Sequence, residues 1–347
     1  MADLFISING IEYSDFRSVS IQRSLDTLCA GVSIECNPDL ADLKNIPTSS
    51  EVIISYIYNP LFYGYVDTVG YHLSPSSKSF RIGARDKTSD LVDCAAIKDP
   101  MGFEKSVTLE AIAKELSFPF GIKVISKLNN PHHYPSWFIH FGETVFECLE
   151  RAAQIENCLL MTNEIGDLVL SKPTLNSDSY SQIYEKENLM EFNYQFGSKS
   201  LYSSYQVLAY SEELGNSTQS LATVPDERIT RYRPLIIDAQ GFSSRAKERA
   251  QWEKEMRYSR ANSIQVKVPE WVNQKGELYE PNTLADLRVD SMGIHKIFLI
   301  AAVEFTISEE EGYTTTLTLT PPQAFFADPA AEMRMNAFID LMRRDAQ

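Results

Sequence analysis

A chain of 347 residues, 44% hydrophobic and 23% charged, carries enough apolar material for a buried core and for more than one domain. Its net charge of −15 argues against a surface that grips phosphates through clustered Lys and Arg, though not against nucleic acid that passes without being held. No window approaches the roughly 18 uninterrupted apolar residues of a membrane-spanning helix. The start, MADLFISING, lacks a basic and then apolar leader, so neither membrane insertion nor a secretory signal is expected.

The first hundred residues read as antiparallel β-structure. Asn9-Gly10 between apolar runs is a hairpin signal, because both residue types tolerate positive φ. Val19 and Ile21 alternate with polar neighbours, as do Val32 and Ile34. EVIISYIY leads to a predicted turn at Asn59-Pro60, and Phe80, Ile82 and Ala84 share one face of the returning strand. The pattern changes near residue 98. Thr108 can cap a helix carrying Leu109, Ile112, Ala113 and Leu116. Thr144 to Glu147 fits a capping box, ahead of a helix that buries Val145, Leu149, Ala152 and Ile155. NCLLMT and DLVLSKP flank a hairpin at 163–166.

β-pattern resumes after residue 180. Met190, Phe192, Tyr194 and Phe196 alternate, as do Ile264, Val266 and Val268. The polar stretch 211–228 reads as an extended loop. A charged helix, with Ala246 and Ala250 as its narrow apolar stripe, is expected at about 243–260. KIFLIAAVEFTI and YTTTLTLT are the clearest late strands. Asp328-Pro329 opens a predicted C-terminal helix with Met333, Ala337 and Leu341 on one face. The expected fold class is therefore mainly β with an α+β insertion. It comprises two antiparallel β-barrel-like domains (1–98 and 179–325), a small α+β domain (99–178), and peripheral helices including 326–347.

Few residues suggest chemistry. RDKTSDLVDCAAI places Arg85, Asp86, Lys87, Asp90 and Asp93 together, with the three carboxylates on one face if the segment is helical. Paired catalytic carboxylates need environments that separate their pKa values. Here Arg85 and Lys87 would neutralise them, so the five residues read as an ion-pair seam at the end of a strand. Arg231-Tyr232-Arg233 is the most basic short patch. It could stack on a nucleobase, but in so acidic a chain it reads as an interface that pairs with carboxylates of another chain. His132, His133 and His140 lack HExxH spacing or a Cys cluster, so no metal is expected. The five cysteines form no CxxC pair and read as reduced, packed thiols. No nucleophile elbow, P-loop or dinucleotide fingerprint occurs, and neither a catalytic residue nor a cofactor is expected.

Several stretches together resemble one family. RDKTSDLVDCAAI, TLEAIAKEL, ETVFECLERAAQIENCLLMTNEIGDLVLSKP, ITRYRPLIIDAQ and WVNQKGELYEPN follow the order and spacing of the Mu-like contractile-phage baseplate hub proteins, over roughly residues 3 to 325. Those proteins are themselves similar to the phage T4 hub and to the upper part of type VI secretion spikes. The resemblance implies a non-enzymatic virion protein of the tail baseplate, assembled in the host cytoplasm. It implies a homotrimeric ring whose two β domains per chain adapt a trimeric central spike to a sixfold tail tube. DNA would pass through the channel without specific binding. The alternatives are a receptor- or glycan-binding tail protein and a cell-wall-degrading tail enzyme; no lysozyme-like insertion supports the latter.

Overall fold

A computed structural model describes residues 3–36, 46–74, 78–156, 158–173, 180–213, 216–240 and 246–322. The predicted helix at 326–347 lies outside these residues. The chain is mainly β with an α+β insertion. Its contacts divide it into two compact units: Met1–Lys172 with Val268–Pro281 and Ala301–Leu317, and Pro173–Lys267 with Asn282–Ile300 and Thr318–Gln347.

The first unit opens with β1 (Leu4–Ile8) and β2 (Ile11–Tyr13), an antiparallel hairpin. Asn9 and Gly10 have φ of +50° and +76°, the turn sense whose twist suits paired strands. β3 (Phe16–Ser24), β4 (Gly31–Cys36), β5 (Glu51–Tyr56), β6 (Asn59–Leu73) and β7 (Lys78–Asp86) follow. They pair antiparallel in the order β3-β4-β7-β6-β5-β1-β2. Val19, Ile21, Val32, Ile34, Val52, Ile54 and Ile82 form the buried row that alternation predicts. The turn after β5 is not at Asn59-Pro60. Ile57 and Tyr58 make it, at φ of +46° and +65°, and Tyr56 already pairs with Asn59. Pro60 instead sits near the start of a strand, where its missing N–H is tolerated.

After α1 (Ser89–Asp93) comes the α+β portion: β8 (Gly102–Val107), α2 (Leu109–Ser117), β9 (Val124–Ser126), β10 (Tyr134–Phe138), α3 (Val145–Glu156), β11 (Leu159–Thr162) and β12 (Leu168–Ser171). β8 pairs with β10, while β12 joins β11 antiparallel and β9 parallel. Thr108 accepts the Ala111 amide at 3.3 Å. In α3 the Thr144 amide donates to Glu147 at 2.8 Å and the Glu147 amide to Thr144 Oγ1 at 3.2 Å, so the capping box closes in both directions. Ile112, Leu116, Leu149, Ala152, Leu168 and Leu170 share one core.

The second unit contains β13 (Tyr180–Tyr184), β14 (Glu191–Phe196), β15 (Ser204–Glu213), β16 (Asn216–Pro225), β17 (Pro234–Gln240) and α4 (Ala246–Ala261). β18 (Asn262–Pro269), β19 (Leu284–Val289), β20 (Ile294–Ser308) and β21 (Gly312–Thr320) complete the chain. In this unit β14 pairs with β18, and β19 lies between β13 and the first half of β20. The second half of β20, from Ala302, pairs with β3 in the first unit's sheet. The stretch 211–228 is not an extended loop. β15 and β16 form a ten-pair antiparallel hairpin, with β17 parallel on the other side of β15. Backbone pairing holds this sheet where apolar alternation is weak: Tyr205, Val207 and Val224 are buried, while Leu221 and Ile236 are exposed. α4 packs against β15 and β16, and its buried apolar residues are the small Ala246, Ala250 and Ala261.

Candidate functional site

Arg85 and Asp86 are the last residues of β7, and α1 begins only at Ser89, so the three carboxylates do not share a helical face. Asp86 points inward and is 1% exposed. Its carboxylate accepts from the Ala30 amide at 3.1 Å, the Thr88 amide at 3.0 Å and Thr88 Oγ1 at 2.6 Å, and also bonds Thr162 of β11. Burial raises its pKa, and these donors oppose the rise. The next residue turns elsewhere. Lys87 Nζ lies 3.4 Å from Asp167, just before β12, and 5.0 Å from the centre of the Tyr63 ring. Gly166 makes that approach possible: at φ +70° a Cβ would sit 3.0 Å from Lys87 Cε and 3.1 Å from the Tyr63 carbonyl.

Arg85 faces the other way. Its Nε donates to Asp67, and Nη1 and Nη2 reach the two oxygens of Asp93 at 3.2 and 2.6 Å. The hydrogen bonds that Arg85 donates to Asp93 and then to Asp67 raise its pKa, and the bond accepted from Arg85 lowers that of Asp93. Asp90 is half-buried, and burial, followed by repulsion from Asp93, raises its pKa. The five residues thus give a buried carboxylate (Asp86), a half-buried cation that reaches Asp167 of the β11–β12 hairpin (Lys87), an arginine and a carboxylate clamped together with Asp67 (Arg85 and Asp93), and a half-buried carboxylate (Asp90). Asp90 and Asp93 shift in opposite directions, but the lowering at Asp93 comes from its bond with Arg85, as in a structural ion pair.

Sequence reasoning missed Arg23 and Glu164. Arg23 is buried on β3, in line with Val19 and Ile21 on the inward row. It donates to the Leu61 carbonyl and, at 3.5 Å, to Glu164 in the hairpin between β11 and β12. Burial lowers its pKa against the pull of Glu164. The available signal was an arginine at an inward position of an alternating strand, which requires a buried acceptor.

In the second unit, Arg233 and its neighbours separate. The Arg233 amide donates to Ser203 Oγ at 2.8 Å, Nη2 to the Lys199 carbonyl at 2.7 Å, and the guanidinium lies 5.3 Å from the Tyr202 ring centre. Arg231 and Tyr232 point outward, Tyr232 being 85% exposed. Arg228, close by, is gripped more firmly. It makes a two-bond pair with buried Asp226 at 2.7 and 2.8 Å, reaches Glu255 of α4 at 3.2 Å, and stacks 3.8 Å from the Tyr258 ring centre. Glu253 of α4 is held between Arg249 and Arg257 at 2.7 and 3.0 Å.

Burial raises the thiol pKa of Cys36 and Cys148 to about 11 and of Cys158 to about 12, so these sulfurs stay protonated and inert at neutral pH. Among the described residues no three His, Cys, Asp or Glu side chains cluster as metal ligands. No described helix is long and apolar enough to cross a membrane.

Comparisons with known proteins point in one direction. Residues 88–172 match the family model of the second domain of gp44-like baseplate hub proteins, and 242–328 match that of the fourth domain of the Mu phage baseplate assembly protein GpP. The chain is 26% identical over 344 residues to baseplate hub protein gp44 of Escherichia phage Mu, covering 94% of this chain and 90% of the relative. The crystal structure of a 43 kDa tail protein of prophage MuSo2 from Shewanella oneidensis superposes with a TM-score of 0.81 at 26% identity, over 93% of this chain and 99% of that one. A tail protein from Neisseria meningitidis shares the fold, with a TM-score of 0.79 at 18% identity, over 93% and 97% of the two chains. These relatives are structural tail proteins, not known enzymes. Both domain models and a near full-length relative agree that the chain is similar to baseplate hub proteins of the Mu-like phage type.

Proposed function

We propose that three copies of the chain form a ring at the centre of the tail baseplate, adapting a trimeric spike to a sixfold tube. Two barrel-like β domains per chain, 1–98 and 179–325, would present six similar surfaces in a trimer, with the α+β domain 99–178 outside them. The ring would enclose a channel whose acidic character, at −15 per chain, repels passing DNA instead of trapping it. Partners would be the spike, the tube and other baseplate proteins, joined during assembly in the host cytoplasm.

The observation that carries this reading is the similarity to the Mu hub over 94% of the chain. Within the first unit, Arg85, Asp86, Lys87, Asp90 and Asp93 would serve as the seam through which the β region fixes the α+β domain. Arg231, Tyr232 and Arg233 would serve contacts between chains.

Light scattering coupled to size-exclusion chromatography tests the ring. One chain is 39.3 kDa, and a species of about three times that mass is expected. A monomer at every concentration, also when co-expressed with its spike, would sink the proposal.

A further inference from the structure

The β11–β12 hairpin meets the β region of the first unit at a charged cluster. Arg23, buried on β3, donates through Nη2 to the Leu61 carbonyl and reaches Glu164 of the hairpin with Nη1 at 3.5 Å. A second carboxyl arrives from the segment 270–281, between β18 and β19. Glu280 hydrogen-bonds Glu164 and lies within electrostatic reach of Arg23 and of Lys127, which follows β9. Asp86 of β7 also lies within reach of Arg23. The segment that carries Glu280 is firmly anchored. Trp271 is fully buried, its Nε1 donates to the carbonyls of Thr306 and Thr314 at 3.0 and 3.1 Å, and Thr315 Oγ1 donates to the Glu270 carbonyl at 2.6 Å. The hairpin is also tied by Lys87, through Asp167 at 3.4 Å.

Two ionised carboxylates can only accept, so a hydrogen bond between them requires a proton on one. Charge points the same way. The cluster sets two cations, Arg23 and Lys127, against three carboxylates, Glu164, Glu280 and Asp86. One retained proton balances them, and two carboxylates that share a site resist ionising together. Part of Glu280 meets solvent, so the proton exchanges with water. We propose that Glu164 and Glu280 share one proton beside the Arg23 guanidinium, an acid-engaged latch that seats the β11–β12 hairpin of the α+β insertion on the β region and loosens as the proton leaves. This does not depend on the trimer reading. Burial, and then repulsion from Glu164, raise the Glu280 pKa against the pull of Arg23 and Lys127. The native state therefore holds the proton more tightly than the unfolded chain, and the contribution of the latch declines as pH rises from the ordinary value of 4.5 through the folded one.

Hydrogen exchange on the full chain, corrected for the intrinsic effect of pH on exchange, tests this. Peptides spanning 159–171 and 270–281 are expected to lose at least about three-fold in protection between pH 4.5 and pH 8, relative to the β3–β4 hairpin of the same chain. Glu280→Gln keeps a donor in the pair at every pH, so its protection is expected to stay at the acid level up to pH 8. Glu280→Ala removes the partner and is expected to show the low level throughout. Circular dichroism reports whether each variant is folded. Should the variants fail to fold, the wild type decides by itself through the δ-carbon resonances of its ¹³C-labelled glutamates. One glutamate titrating clearly above 4.5 is expected, and ordinary titration of every glutamate would overturn the latch. Wild-type protection that does not change with pH would overturn it too. So would a pH-dependent loss that persists in Glu280→Gln, because another group would then carry it.

Discussion

In the first unit the carboxylate of Asp86 is buried with no ion-pair contact among the described residues, feels the charge of Arg23 only at longer range, and is held by the amides of Ala30 and Thr88 and by hydroxyls. In the second, buried Asp226 takes a two-bond grip from Arg228, which also stacks on Tyr258 and reaches Glu255. Both aspartates sit at the end of a β-segment and both are almost fully covered. Burial pushes both pKa values up. At Asp86 that push wins, because neutral donors only partly replace water. At Asp226 the bonds from Arg228 outweigh it and the pKa falls. A hydrogen-bonded carboxylate fixes local backbone geometry, whereas an ion pair fixes charge, and the two answer differently to mutation and to acid.

The largest expected effect is at the uncharged cradle. Asp86→Ala strands the amides of Ala30 and Thr88 in a dry site. With each unmet buried donor costing about 1–3 kcal/mol, a loss of about 3 kcal/mol in unfolding free energy is expected. Asp86→Asn keeps one acceptor oxygen and should recover more than half. Denaturant titration of the three proteins checks this. A loss below about 1 kcal/mol for the alanine variant would mean that water reaches the donors and that the cradle is not structural.

Acid separates the two aspartates in sign. The folded Asp226 lies below its ordinary value of 3.8. Its contribution is therefore present above that value and is lost as pH falls towards the folded pKa. The folded Asp86 lies above 3.8, so the native state binds more protons there, and its contribution declines as pH rises from 3.8 through the folded pKa. Asp226→Asn should flatten the fall in stability below about pH 4, and Asp86→Asn should remove an opposing slope just above it. Unfolding free energies measured between pH 3 and 6 would show whether the slopes change in opposite directions. A common direction would mean that the two sites hold charge in the same way.

How legible these features were in the sequence follows from what holds them. The hairpin at Asn9-Gly10 and the capping box at Thr144 depend on residues within four positions of each other, and both were readable. So was the helix now seen as α4. The hairpin of β15 and β16 was not, because its pairing is carried by backbone bonds and its side chains alternate weakly. In the sequence Asp86 reads as one charge of an ion-pair seam at the end of a strand. Its actual donors come from residue 30, from residue 162 and from a turn that only the fold creates. Arg23 carried a usable signal, a charge on an inward row, but its acceptors at 61 and 164 are distant in sequence. Local bonding is legible, while long-range satisfaction of buried polar groups is not.

The smallest effect is expected at Asp93, and its smallness is informative. The Arg85 clamp has three short contacts and strongly held protons, which by geometry alone looks stronger than the Asp86 cradle. However, Asp93 is about half exposed, and Arg85 retains Asp67 when Asp93 is lost. Solvent screening leaves such a pair with roughly 0–1 kcal/mol. Asp93→Asn should therefore change the unfolding free energy of the isolated chain by less than about 0.5 kcal/mol, and 0.5 M salt should erase the difference. If the seam matters for assembly, the Asp90→Asn/Asp93→Asn double variant will weaken trimer formation while leaving that isolated stability almost unchanged. Equal trimer fractions with and without the two carboxylates would show that Arg85 serves the fold of one chain only. The buried cradle at Asp86 would then be the part of the segment that matters.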